Sequence, residues 1–120
     1  MEGTTLIKRR KIMKRGHLTN CHGGLGNLDL TVVFDREELM GRHLNFIHDD
    51  VLAPGVSVGV HQHEGDEEYY YFLSGRGVMI LDGKRYEVSA GDITAVYPGG
   101  SHGLENNAAE NLRFLVISVS

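Results

Sequence analysis

Apolar residues in this chain come in short runs rather than long stripes. The runs Leu28–Phe34, Leu44–Leu52, Val56–His63, Tyr69–Leu73, Val78–Leu81, Arg85–Val88, Ile93–Tyr97, His102–Glu105 and Leu112–Val119 are rich in β-branched and aromatic residues. No long stretch repeats apolar residues at helical spacing. Between the runs stand Ala53-Pro54-Gly55, Glu64-Gly65-Asp66, Ser74-Gly75, Asp82-Gly83, Ala90-Gly91-Asp92 and Pro98-Gly99-Gly100. Many short strands with turn residues at short intervals predict an all-β sandwich or barrel. Asp82-Gly83 predicts a two-residue hairpin, because a type I′ turn needs positive φ at both positions. Residues Asp35 to Leu39 predict one helical turn capped by Asp35.

Composition narrows the class. A chain of 120 residues suits one domain with a core of its own. The single cysteine, Cys21, excludes an intrachain disulfide and is compatible with a reducing cytosol. No apolar leader segment opens the chain, and no stretch approaches the length of a membrane span. The expectation is a soluble cytoplasmic protein with no membrane partner. The net charge of −4 hides an asymmetry. Lys8, Arg9, Arg10, Lys11, Lys14 and Arg15 face only Glu2 within residues 1–15, which predicts a solvated basic arm ahead of one domain over 16–120. The remainder holds 6 basic and 15 acidic residues. An acidic body repels phosphate backbones, and the basic run is short and lacks interleaved aromatics, so no nucleic-acid partner is expected.

Candidate chemistry starts at His61-Gln62-His63. Alternate side chains on a strand share a face, so both imidazoles point one way and Gln62 the other. Glu67 and Glu68 follow the polar turn Glu64-Gly65-Asp66, which could return the chain as an adjacent antiparallel strand. Strand parity alone does not choose between the two carboxylates. A third imidazole, His102, follows Pro98-Gly99-Gly100. Three neutral imidazoles and a carboxylate suit one first-row divalent ion with positions left open for water or substrate.

This pattern resembles the cupin superfamily. Its first motif is matched by Gly55, His61, His63, Glu68 and Gly75, and its second by Gly91, Gly99, His102 and Asn106. Tyr97 stands where the second motif has proline, with Pro98 one place later. The resemblance implies a double-stranded β-helix, or jelly-roll barrel. It implies metal ligands His61, His63, Glu68 and His102, and the motif spacing selects Glu68 over Glu67. It also implies one divalent transition-metal ion, with manganese, iron, nickel and zinc not distinguished, and it favours a homodimer.

Parity extends the expectations to the pocket. With His61 and His63 facing inward, Ser57 and Gly59 share their face, and Val56, Val58 and Val60 point away. With Glu68 inward, Tyr70 and Phe72 are inward too, and Tyr69, Tyr71 and Leu73 are outward. Tyr70 and His48 are candidate proton-handling residues near the ion. His17, Cys21 and His22 suggest a second, zinc-like site but lack a fourth ligand and the usual pair spacing. His43 has no evident partner. The expected function is a metal-dependent enzyme acting on a small oxygen-rich molecule, a sugar or a hydroxy- or keto-acid. Isomerase, lyase or decarboxylase, and dioxygenase chemistry all fit. The alternative is a non-catalytic small-molecule binding or sensor module with a structural metal.

Overall fold

A computed structural model describes residues 5–39 and 41–120. Ten strands carry the fold: β1 (Lys14–Thr19), β2 (Asn27–Phe34), β3 (Leu44–Leu52), β4 (Ser57–Gln62), β5 (Glu67–Ser74), β6 (Arg76–Leu81), β7 (Lys84–Ser89), β8 (Ile93–Val96), β9 (Ser101–Glu105) and β10 (Leu112–Val119). They form two antiparallel sheets in a jelly-roll arrangement. One has the order β1-β2-β3-β10-β5-β8 and the other β4-β9-β6-β7. Nine strands sit on the runs expected from the sequence. The tenth, β1, does not. All six of its residues are exposed, so it carries no apolar alternation by which it could be recognised. Backbone pairing with β2 holds it in place, from Lys14 opposite Val32 to Thr19 opposite Asn27.

The basic segment before β1 is tied to the body. Lys8 bonds Glu38, and Arg10 reaches Asp49 at 2.8 Å. Residues 1–4 of the expected arm lie outside the described residues. Asp35 caps a 3-10 turn over Arg36–Glu38 in a reciprocal capping box with Glu38. The Asp82-Gly83 hairpin has φ of 49° and 81°, as a type I′ turn requires.

The core lies between the sheets. Residues directly opposite on paired strands share a face, and three inward rows follow from the register. Phe46, Ser118, Glu68 and Val96 form the first, and His48, Val116, Tyr70 and Thr94 the second. Asp50, Phe114 and Phe72 form the third. Phe72 and Phe114 are fully buried, as are Leu52, Leu112, Leu104 and Met79. Tyr70 and Phe72 thus face inward as parity predicts, and Tyr71 and Leu73 are exposed.

Parity fails on β4. Val58 packs into the core with Leu104 opposite it, while Val60 is exposed. The register between β4 and β9 shifts between Val58 and His61. A bulge there resets the alternation, so Val58 and His61 both turn inward although they stand three positions apart.

Candidate metal centre

His61 and His102 are direct cross-strand partners on β4 and β9. His63 lies just past the end of β4. Its amide donates to the Gly100 carbonyl and its carbonyl accepts from the Gly99 amide, so the Pro98–Gly100 turn fixes its backbone. Glu68 stands on β5, in the opposite sheet. The Glu64–Asp66 turn therefore carries the chain from one sheet to the other. Glu68 meets the histidines across the sandwich, and not across an adjacent strand pair as the sequence suggests.

The four side chains converge. Their donor atoms all lie within 4.8 Å of one another. His63 Nε2 is 3.0 Å from His102 Nε2, and Glu68 Oε1 is 3.5 Å and 3.2 Å from those two nitrogens. Glu68 and His102 are buried, while His61 and His63 lie at intermediate depth.

The hydrogen bonds behind the rings set their tautomers. His61 Nδ1 is 2.8 Å from the Gly59 carbonyl. A carbonyl only accepts, so Nδ1 carries the proton and Nε2 presents a lone pair. His63 Nδ1 donates in the same way to Asp66, at 3.1 Å. Asp66 is held in turn by the Ser118 hydroxyl. Burial pushes the His61 pKa down to about 4, so this ring is neutral at neutral pH.

This donor set fits a cation. Bare imidazole nitrogens and a carboxylate oxygen crowded together repel one another without positive charge between them. Bonds of about 2.1 Å to an ion would set donors at right angles about 3.0 Å apart, the separation of the His63 and His102 nitrogens. Glu67 does not join the group; its carboxylate accepts from the Tyr69 hydroxyl. Gln62 points away and bonds the Gly99 carbonyl.

One wall comes from a segment whose role the sequence did not reveal. The 3-10 turn Cys21–Gly23 lies over β4, and His22 stacks on His61 with ring centroids 3.6 Å apart. Seating it requires Gly24 and Gly59. A Cβ on Gly59 would overlap the His22 carbonyl oxygen, and one on Gly24 would overlap the Ser57 carbonyl. The space at Gly59 is thus filled by this turn. Ser57 is likewise used up, accepting from the Leu25 amide. Cys21 rests against the core, and burial raises its thiol pKa, with Asp50 and Glu68 adding. His17, Cys21 and His22 form no metal-holding group among the described residues. His17 is exposed on β1, and His43 is exposed, with its carbonyl accepting from the Ser120 amide.

Tyr70 is buried, its ring 4.8 Å from that of His102 and 5.0 Å from that of Phe114. Burial, then the charges of Glu68 and Asp50, hold its phenol well above its ordinary pKa. His48 faces inward beside Phe46, and burial lowers its pKa. Asn106, the last residue of the second motif, is structural. Its amide donates to the Leu52 and Glu110 carbonyls, and its oxygen accepts from the Ala108 amide.

The family described as Cupin domain matches residues 49–118, more than half of the chain. The chain belongs to the cupin family. Its curated relatives include an oxalate-binding protein of Thermotoga maritima, 34% identical over 98% of this chain and 97% of the relative. A solved Thermotoga maritima structure, described as a predicted oxalate decarboxylase, superposes with a TM-score of 0.88 at 32% identity. That match covers 95% of this cupin and 98% of the other chain. The polyketide cyclase RemF of Streptomyces resistomycificus shares the fold, with a TM-score of 0.78 at 21% identity over 97% of this cupin and 80% of its own chain. No helix among the described residues is long and apolar enough to cross a membrane.

Proposed function

We propose that this cupin holds one divalent transition-metal ion through His61, His63, Glu68 and His102, and that the site captures a small oxygen-rich acid of the oxalate type. One observation carries the reading: three imidazoles and a carboxylate place their donor atoms within 4.8 Å of one another. In two of these imidazoles Nδ1 is engaged by a fixed acceptor, leaving Nε2 free to ligate. The bound ion would supply Lewis acidity toward a carboxylate or carbonyl oxygen. The protein's own part is to orient the imidazoles, with Gly59 and Asp66 behind them, and to keep the His61 ring neutral by burial. The name of the Thermotoga maritima oxalate-binding relative supports the ligand class.

The binding form of this reading comes first. Tyr70 and His48 would handle protons in a catalytic form, but the raised phenol pKa of Tyr70 makes it a weak acid at neutral pH. A homodimer belongs to the reading as well. Tyr71 and Ile93 stand opposite each other and exposed on the outer face of β5 and β8, beside exposed Leu73. The free thiol of Cys21 accords with the cytoplasm.

Elemental analysis of purified protein, followed by metal titration and calorimetry with oxalate, tests the proposal. About one transition-metal ion per chain is expected. His61→Ala with His63→Ala should abolish uptake, and Glu68→Gln should weaken it far more than Glu67→Gln. Protein that contains no metal and takes none up refutes it.

A further inference from the structure

The connection between β1 and β2 is a rigid loop fastened to the strand that carries His61. Asn20, His22, Gly23 and Gly26 all have positive φ. The Asn20 amide donates to the Gly26 carbonyl, and the Gly26 amide to the Asn20 side-chain oxygen, which closes the loop on itself. Two further bonds pin it to β4: the Ser57 amide donates to the Leu25 carbonyl, and the Leu25 amide to the Ser57 hydroxyl. The strand that leads into this loop, β1, brings no buried side chain to the core. Core packing therefore does not account for the hairpin, and its loop end is where a role has to be sought.

His22 stands out within the loop. Its φ of 51° and ψ of 36° place it in the left-handed region, where glycine is at ease and a residue with a Cβ is strained. The turn alone would be served better by glycine. What the side chain gains is a place against the quartet: its ring lies 3.6 Å from that of His61, inclined to it by only 12°. His61 is thus held twice. The Gly59 carbonyl accepts from Nδ1 and fixes the edge of the ring, while His22 covers its face. Left-handed strain kept beside a candidate site points to a function rather than to stability. A ring whose plane is already set has less freedom to lose when an ion is captured.

We propose that His22 is a positioning residue for metal capture, a flat plate that sets the plane of the His61 imidazole and keeps its Nε2 turned into the quartet before an ion arrives. It acts through its face and not as a fifth ligand; the convergent donor group comprises His61, His63, Glu68 and His102 without it. The hairpin β1–β2 is then the scaffold that carries the plate. This inference rests on the reading of the quartet as a metal site. It adds a residue that neither ligates the ion nor belongs to either motif.

The test strips full-length protein of metal and titrates it with Co²⁺ and with Zn²⁺ against a chelator, recording the visible spectrum of the Co²⁺ form. His22→Gly removes the plate and relieves the backbone; His22→Asn removes it and keeps a residue at ease in the left-handed region. Both should fold as the wild type does by circular dichroism, lose about fivefold in affinity for either ion and shift the Co²⁺ spectrum. His22→Phe keeps a flat face without a nitrogen; its affinity should stay within about twofold of wild type, with the wild-type spectrum. Affinity and spectrum unchanged in His22→Gly and His22→Asn overturn the proposal. So does His22→Phe binding as weakly as they do, which would make a ring nitrogen, and not the face, the active part. Failure of the metal reading shows separately, as wild-type protein that takes up neither ion, and removes this inference with it.

Discussion

Replacing Asp50 by asparagine should change how stability depends on pH, in a direction and amount that the structure sets. An unfolded aspartate has a pKa of about 3.9, and burial raises it to about 8 in the folded chain. Between those values the folded state keeps a proton that the unfolded state has lost. The contribution of Asp50 is therefore fully present below about pH 4 and is lost as pH rises through about 8. Each pH unit in that window is worth at most about 1.4 kcal/mol, so the accumulated loss at pH 7 has a ceiling of about 4 kcal/mol. Any relaxation that lets water reach the carboxyl lowers the figure. Asp50→Asn abolishes the titration and leaves the other groups in place. Urea unfolding of metal-stripped wild type and variant at about pH 5, 6, 7 and 8 isolates the contribution, because titrations common to both chains cancel in the difference. The variant should gain on the wild type by at least about 1 kcal/mol across the series, with equal denaturant slopes. Parallel curves would show that Asp50 is ionised in the folded protein and would refute the reasoning.

Three further outcomes follow from particular contacts. Gly59→Ala drives a methyl into the His22 carbonyl; it should unseat the Cys21–Gly23 turn and weaken metal binding about tenfold in a chelator competition. Asp66→Asn removes the carboxylate that fixes the His63 tautomer and should cost about tenfold in metal affinity, with the fold intact by circular dichroism. Arg113→Ala strips the bidentate partner from Asp49, whose pKa Arg113 and then Arg10 hold down. It should destabilise the protein by about 2 kcal/mol at neutral pH. The deficit should shrink in acid, because the contribution of a carboxylate with a depressed pKa is lost as pH falls through its folded value.

The candidate metal quartet was legible because its residues stand at the spacings of the two cupin motifs. His61 and His63 sit two positions apart, Glu68 lies five positions after His63, and His102 follows a glycine turn. What depended on distant backbone was not legible. The β4 bulge that reverses Val58 appears only in the pairing with β9. The strand β1 is polar throughout and held by pairing alone. His22 approaches His61 because Gly24 and Gly59 let two backbones come within contact distance, and no local pattern announces a contact between segments so far apart. Asp66 carries a local signal: it lies three residues after His63, in a turn that brings its carboxylate to that ring.

Asp49 and Asp50 show how the face of a strand decides what becomes of a buried acid. In sequence they are the same residue twice, midway along a strand. Alternation sends one to each face, and that alone decides their roles. The outer one finds two arginines, and its buried charge is compensated. The inner one finds Phe114, Tyr70, Cys21 and a distant carboxylate, and it keeps its proton because ionisation there has nothing to stabilise it. A merely structural site would be filled at least as well by leucine, which matches the surrounding side chains and leaves no polar atom without a partner. An acid at this position therefore costs the folded chain stability as pH rises toward about 8, and the comparison of wild type with Asp50→Asn reads that cost directly.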